Sequence, residues 1–206
     1  MKVSVSFIKS NYKEEETIKK INESIADYLH IDIMDGVFVD IKNYDFTTIS
    51  YYVNNITKPL DVHLMVSDVD KYVKEYVLLK PEYITIHYEA TNNLKEIIDY
   101  IHANNIKAGL AINPDTLVDD IIPFLNDIDL VLVMSVYPGA GGQKFIMDVI
   151  NKINKLKELQ KDYNYIINVD GGVNEDTIKY VNSDMVVSGS YVCCSTNFDE
   201  KINKLK

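Results

Sequence analysis

Short runs rich in β-branched and aromatic residues alternate with amphipathic stretches along the whole chain. Eight such runs read as strands: Lys2–Ser6, Tyr28–Met34, Leu60–Met65, Tyr83–His87, Lys107–Ile112, Leu130–Met134, Tyr165–Asp170 and Asp184–Ser188. Between them, apolar residues recur at three- and four-residue spacing over Glu14–Asp27, Val69–Leu79, Leu94–Ala103 and Val149–Gln160, which predicts helices. Asn113-Pro114-Asp115-Thr116 reads as a turn leading into another helix. Strict alternation of strand and helix implies an α/β protein with a mostly parallel sheet. Eight strand signals favour a closed (β/α)8 barrel over an open sheet, and polar residues at the C-terminal ends of several strands point the same way. An open sheet gathers its site at one switch point, and no dinucleotide-binding fingerprint follows the first strand. No linker, low-complexity tract or composition shift divides the chain, so residues 1–206 are expected to form one catalytic domain.

Composition narrows the function classes. The chain is 47% hydrophobic and 25% charged, an ordinary globular balance. A net charge of −10 argues against nucleic-acid or anionic-membrane partners. It leaves room for an anionic small molecule, because backbone N–H groups can hold a phosphate. Nowhere do ~18 apolar residues run together, so no membrane span is expected. MKVSVSFIKSNYKEEE carries no signal-peptide pattern. Cys193 and Cys194 are adjacent and form neither a disulfide framework nor a metal-site spacing, which fits the cytoplasm.

The chemistry concentrates on strand faces. Side chains alternate along a strand, so His30, Asp32 and Met34 share one face, as do Asp61, His63 and Met65. The seventh strand ends in Asn168-Val169-Asp170-Gly171-Gly172, and the sixth ends at Met134. Singly, each has a plainer reading: a core histidine, a helix-capping aspartate, a methionine filler. Two imidazoles and two carboxylates at the same ends of three barrel strands are expensive as mere packing. They suit a borderline divalent ion such as zinc, iron, manganese or cobalt better than calcium or magnesium. Glycine-containing turns follow the last three strands, in Pro138-Gly139-Ala140-Gly141-Gly142-Gln143, Gly171-Gly172 and Gly189-Ser190. Each also fits a tight turn; three on successive late strands fit the phosphate-binding rim of a barrel. Ser190 falls at a helix start, and no nucleotide-binding Lys-Ser/Thr follows any of these loops.

Four blocks resemble the ribulose-phosphate 3-epimerase family: His30-Ile-Asp-Ile-Met-Asp-Gly-Val-Phe-Val39, Leu60-Asp-Val-His-Leu-Met-Val66, Met134-Ser-Val-Tyr-Pro-Gly-Ala-Gly-Gly-Gln-Lys-Phe145 and Val169-Asp-Gly-Gly-Val173. The resemblance extends to Ser6, to Ile86-His-Tyr-Glu-Ala90 and to Gly189-Ser190, and covers the chain in order. It implies a single (β/α)8 TIM barrel of the ribulose-phosphate-binding type. The implied activity is interconversion of D-ribulose 5-phosphate and D-xylulose 5-phosphate by proton transfer at C3 through an enediolate, in the pentose phosphate pathway. It also implies one divalent metal per chain on His30, Asp32, His63 and Asp170, with Asp32 and Asp170 as the acid–base pair. Met34, Met65 and Met134 would form an apolar lid. Ser6, His63, Gly139, Ala140, Gly141, Gly142, Asp170, Gly171, Gly172, Gly189 and Ser190 would bind the sugar phosphate. Homo-oligomer formation is left open.

Other residues weigh less. Asp35 and Gly36 are expected to fix a turn or loop, His87 to line the mouth, and His102 to be a solvated helix residue. The family pattern is broken by Val5 before Ser6, by Asp40-Ile41 after Val39, by Ala140 at a usually aromatic position and by Tyr137 at a usually polar one. These bear on substrate discrimination rather than on the metal quartet. An epimerase for six-carbon ketose phosphates of the allulose 6-phosphate type would share that quartet. A phosphate-barrel lyase needs a catalytic lysine at a strand end, whereas Lys107 begins the fifth strand. A non-catalytic sugar-phosphate binder would have no need of the quartet.

Overall fold

The structure is a computed structural model describing residues 1–206. Eight parallel strands close into a barrel in chain order: β1 (Lys2–Ser6), β2 (Tyr28–Met34), β3 (Leu60–Met65), β4 (Tyr83–His87), β5 (Lys107–Ile112), β6 (Leu130–Met134), β7 (Ile166–Asp170) and β8 (Met185–Ser188). β1 pairs with β8 to close the ring. The helices are α1 (Glu14–Glu23), α2 (Phe46–Val53), α3 (Val69–Tyr76), α4 (Leu94–Ala103), α5 (Val118–Ile121), α6 (Val149–Leu159), α7 (Ser190–Cys193) and α8 (Phe198–Asn203). This is the TIM-barrel fold expected from the alternation.

Each strand is buried on both faces, because one face meets the helices and the other fills the barrel. Outward-facing Val3, Val5, Leu29, Ile31, Ile33, Val62, Leu64, Ile84 and Ile86 join helix residues such as Ile18, Ile21, Val73 and Ile98 in one apolar layer. Full burial of such a side chain is worth roughly 1.5–3 kcal/mol. Inside, the filling is asymmetric. Ala111, Leu130, Leu132, Met134, Met185 and Val187 make an apolar wall on β5, β6 and β8. Ser4, Ser6, His30, Asp32, Asp61, His63, Thr85 and His87 make a buried polar wall on β1–β4.

The differences from the sequence reading lie at element ends and have local causes. α1 stops at Glu23 rather than Asp27, because Ser24 turns back and bonds the Ile21 carbonyl through both its N–H and its Oγ. The helix read over Val69–Leu79 is α-helical to Tyr76 and tightens to a 3-10 turn over Val77–Leu79. β7 and β8 each begin one residue later than read. α2 was not singled out by periodicity. Its Phe-Thr-Thr-Ile-Ser-Tyr-Tyr-Val is rich in strand-forming residues, and Asp45 starts the helix by accepting the Thr48 N–H. Between β7 and β8 the helix shrinks to a 3-10 turn, Ile178–Tyr180. His102 is a helix-surface residue as expected, 2.8 Å from Asp129.

Gly109 sits on β5 where a side chain would collide with β4. A Cβ there would lie 2.2 Å from Thr85 Oγ1 and 3.0 Å from Thr85 Cβ. Gly109→Ala is therefore expected to lower stability by ~1–3 kcal/mol through overpacking. Adding Thr85→Ala should recover a part, since it removes the atom in closest approach. Urea denaturation of the two variants checks this, and equal stability of Gly109→Ala and wild type would contradict it.

Candidate active site

Strand register sets the site. β2 and β3 pair so that His30 lies beside Asp61, Asp32 beside His63 and Met34 beside Met65. β6 and β7 bring Met134 beside Asp170. One donor atom from each of His30, Asp32, His63 and Asp170 falls within 4.8 Å of the others. Asp32 Oδ1 is 3.2 Å from His30 Nε2 and 3.1 Å from His63 Nδ1. Asp170 reaches across the barrel, its Oδ2 lying 3.8 Å from His30 Nε2 and 3.7 Å from His63 Nδ1.

The second oxygen of Asp32 and the outer nitrogens of His30 and His63 are held from behind. Asp32 Oδ2 accepts a 2.7 Å hydrogen bond from Ser6 Oγ. His30 Nδ1 is 2.8 Å from Asp61 Oδ2, which also accepts from Ser4 Oγ at 2.8 Å. His63 Nε2 is 2.9 Å from His87 Nε2, and His87 Nδ1 is 3.1 Å from Glu89 Oε2. Each histidine thus has one ring nitrogen on the cluster and the other on a supporting partner, the usual support of a metal-binding imidazole.

The electrostatics are those of charges forced together out of water. Burial alone would raise the pKa of Asp32, but His30 and His63 outweigh it and hold Asp32 well below the usual carboxylate range. Burial would lower that of His30, yet Asp32 and Asp61 raise it well above the usual histidine value. Asp170 is pushed up to about 7 by burial and by the neighbouring charge of Asp32. Two imidazole nitrogens and two mutually opposed carboxylates form a donor set that a divalent cation fits.

Above the quartet lies a cavity of about 340 Å³. Its lining includes Ser6, Asp32, Asp170, Gly139, Ala140, Gly141, Gly142, Gly171, Gly172, Gly189 and Ser190. Met34, Met65 and Met134 line it too, each almost wholly buried. His30 and His63 do not face it; they are fully buried beneath the carboxylates. Of the residues expected to bind substrate, His63 is therefore the one set apart from the cavity surface. No lysine lines the cavity. Lys107 pairs with Glu82 at the opposite end of the strands, where a lyase could not use it.

The late loops need their glycines for approach as well as for φ. A Cβ on Gly171, at φ +120°, would meet the Val136 backbone N at 2.9 Å. One on Gly172, at φ +64°, would meet Phe145 N at 2.5 Å. The loop after β6 is closed by Gln143, whose Nε2 donates to the Tyr137 and Ala140 carbonyls, and Tyr137 Oη donates to Asp115. After β2, Asn43 bonds both Met34 N and the Asp32 carbonyl, so the atypical Asp40-Ile41 pair lies out in a loop pinned at its base. Asp35 fixes this loop as expected, accepting from the N–H groups of Val37, Phe38 and Ser67 and from Ser67 Oγ.

The sequence profile of the ribulose-phosphate 3 epimerase family matches residues 2–193. The ribulose-phosphate 3-epimerase of Helicobacter pylori (strain J99 / ATCC 700824) is 38% identical, covering 100% of this chain and 94% of that protein. That of Bacillus subtilis (strain 168) is 33% identical, covering 100% and 98%. The chain belongs to the ribulose-phosphate 3-epimerase family. Among solved structures, KGPDC from Streptococcus mutans superposes with a TM-score of 0.72 at 15% identity, covering 99% of this chain and 94% of that one. N-(5'-phosphoribosyl)anthranilate isomerase from Pyrococcus furiosus superposes with a TM-score of 0.64 at 16% identity, covering 100% and 96%. At these identities the likeness is one of fold, the shared barrel.

Three residues in contact with the quartet or its supports carried no assigned role in the sequence reading: Ser4, Asp61 and Glu89. His87, expected to line the mouth, is instead fully buried behind His63 and does not line the cavity. Asp61 and His87 were already marked by position, polar on inward strand faces. Glu89 lies past the strand end, and its role follows only from tertiary contact.

Asp35 gives a pH test of the mouth of the barrel. Burial would raise its pKa, but the Ser67, Val37 and Phe38 donors outweigh that and hold it at about 2. A carboxylate depressed in the folded state adds stability above its unfolded pKa of about 3.9, and this is lost as pH falls towards 2. Asp35→Asn should lower stability at pH 7 by ~1 kcal/mol, reduced by partial exposure. Denaturation curves below pH 4 should show that gap closing; a gap constant with pH would count against this role.

Proposed function

We propose that the chain interconverts D-ribulose 5-phosphate and D-xylulose 5-phosphate by inverting C3. The observation that carries this reading is the pair of carboxylates, Asp32 from β2 and Asp170 from β7, meeting at the floor of a cavity whose rim is glycine-rich. Inversion beside a ketone needs a base on one face of the reacting carbon and an acid on the other. The two carboxylates come from separate strands, and their surroundings push their proton affinities apart, Asp32 down and Asp170 up. One therefore takes the C3 proton, leaving a planar enediolate, and the other returns a proton to the opposite face. Afterwards their roles are exchanged, so either direction can run.

His30, Asp32, His63 and Asp170 are the residues that would hold one divalent cation, of the zinc, iron, manganese or cobalt class. When bound, such an ion supplies Lewis-acid stabilisation of negative charge on the substrate oxygens. The protein orients the rest. Ser6 fixes Asp32 by its 2.7 Å hydrogen bond. Met34, Met65 and Met134 keep water away from the reacting carbon, where it would protonate the intermediate on the wrong face. The glycine loops after β6, β7 and β8 offer backbone N–H groups to the phosphate, which suits a chain of net charge −10 with no cationic side chain in the cavity lining. The adjacent free cysteines fit a reducing compartment, and no helix is long and apolar enough to cross a membrane.

Asp32→Asn and Asp170→Asn are each expected to cut turnover by roughly 10²–10⁴-fold or more while leaving the fold intact. Chelation should abolish activity, and a divalent ion should restore it. An epimerisation assay with pentulose 5-phosphate, before and after chelation, checks both statements. Near-normal turnover in both variants would remove the two-carboxylate reading.

Phosphate and reacting carbon are anchored at opposite ends of one cavity, so the site measures sugar length. A pentulose phosphate is expected to be preferred over a hexulose phosphate by ~10- to 200-fold in kcat/KM, the range for one extra carbon. Equal or reversed values would reassign the substrate to the six-carbon series and leave the proton-transfer reading standing.

A further inference from the structure

His63 turns one nitrogen to the quartet and the other away from it, and the far side is as specifically built as the near one. His63 Nε2 and His87 Nε2 are 2.9 Å apart, so one proton lies between them and one ring must donate to the other. His87 is fully buried, with the Phe38 ring 4.9 Å from its own centroid to centroid. Its Nδ1 is 3.1 Å from Glu89 Oε2. The other carboxylate oxygen of Glu89 accepts from the Asn113 N–H at 2.8 Å and from the Thr116 hydroxyl, both in the loop after β5.

Only two proton arrangements are open to two neutral rings in this line. In one, His63 donates from Nε2 to His87, and His87 donates from Nδ1 to Glu89. His63 Nδ1 then bears a lone pair facing the quartet. In the other, His87 donates from Nε2 to His63, its own lone pair faces the Glu89 carboxylate, and a proton occupies His63 Nδ1. The second sets acceptor against acceptor at Glu89 and blocks the nitrogen that would take a cation.

We infer that Glu89, acting through His87, is a positioning residue that holds His63 in the tautomer able to bind the metal ion. The inference rests on the proposed metal centre and extends it two side chains outward, to a residue that touches neither ion nor substrate. Glu89 must be an acceptor for this purpose. The amide of Glu89→Gln would keep its oxygen on Asn113 and Thr116 and turn its N–H2 towards His87 Nδ1. That would reverse every donor in the line and place the proton on His63 Nδ1. Glu89→Ala would remove the loop contacts but leave the two rings free to choose.

The test is the zinc dissociation constant by competition with a chelator, with thermal denaturation alongside, for wild type, Glu89→Gln, Glu89→Ala and His63→Ala. Glu89→Gln is expected to bind zinc 10- to 100-fold more weakly than wild type. Glu89→Ala should lose less affinity than Glu89→Gln but more thermal stability, the opposite ranking to that of a residue that only anchors the loop. In zinc-loaded wild type, ¹⁵N NMR should find His87 protonated on Nδ1. Unchanged zinc affinity in Glu89→Gln, weaker zinc binding by Glu89→Ala than by Glu89→Gln, or His87 protonated on Nε2 would each overturn the inference. If instead wild type binds zinc no better than His63→Ala, the metal centre itself fails and the inference falls with it.

Discussion

The burial of carboxylates inside the barrel is the constraint around which the rest of the interior is arranged. Asp32 and Asp61 are almost wholly buried, and Asp170 is only slightly open to the cavity. An anion in such a place must be neutralised or lose its charge. His30 answers two of them at once, with Asp61 on one nitrogen and Asp32 on the other. Asp170 lies farther from the same imidazoles, at 3.7–3.8 Å, and burial with the neighbouring Asp32 pushes it towards its neutral form. The proton affinities of His30 and Asp170 are both raised in this setting. A cation held by the quartet would compete with protons for these groups, so its binding is tied to pH.

The same constraint explains the asymmetry of the interior. Polar side chains gather on β1–β4, where they can hydrogen-bond one another, and β5, β6 and β8 present an apolar wall. The apolar wall carries Met134, which lines the same cavity as Met34 and Met65. One side of the barrel thus supplies charge and the other excludes water, and the cavity opens where they meet at the C-terminal ends of the strands. The glycines of the late loops belong to this geometry too. Gly171 and Gly172 let the loops after β6 and β7 pass at distances no side chain would tolerate.

Much of this was legible in the sequence, and the reasons differ by feature. The two-residue period of His30-Ile31-Asp32 and Asp61-Val62-His63 determines which side chains face inward, and closure of the ring places them at one level. Strand limits were read to within a residue because apolar runs end sharply at strand ends. α2 escaped periodicity because its composition favours strand, and packing decided otherwise. Ser24 shortened α1 through a hydrogen bond of its own side chain, a contact that apolar spacing does not encode. The Glu89–His87–His63 line was hidden for another reason. Its members lie on two strands and the 3-10 turn Tyr88–Ala90, and nothing in the spacing of Glu89 from either histidine marks an acceptor that works at one remove.

The confinement of the polar wall to β1–β4 has a consequence for how the chain is made. The links Ser4–Asp61, Ser6–Asp32, His30–Asp61, His63–Asp32, His63–His87 and His87–Glu89 all fall within residues 4–89. A chain leaving the ribosome exposes this segment first. In the finished barrel its buried acids and imidazoles satisfy one another within that segment, without a partner from β5–β8. The apolar wall that arrives later needs no polar partner and has only to cover what is already neutralised. Asp170 is the exception, a late-translated carboxylate delivered to a prearranged cluster. Three members of the quartet thus belong to the half of the chain translated first, and the fourth comes from β7.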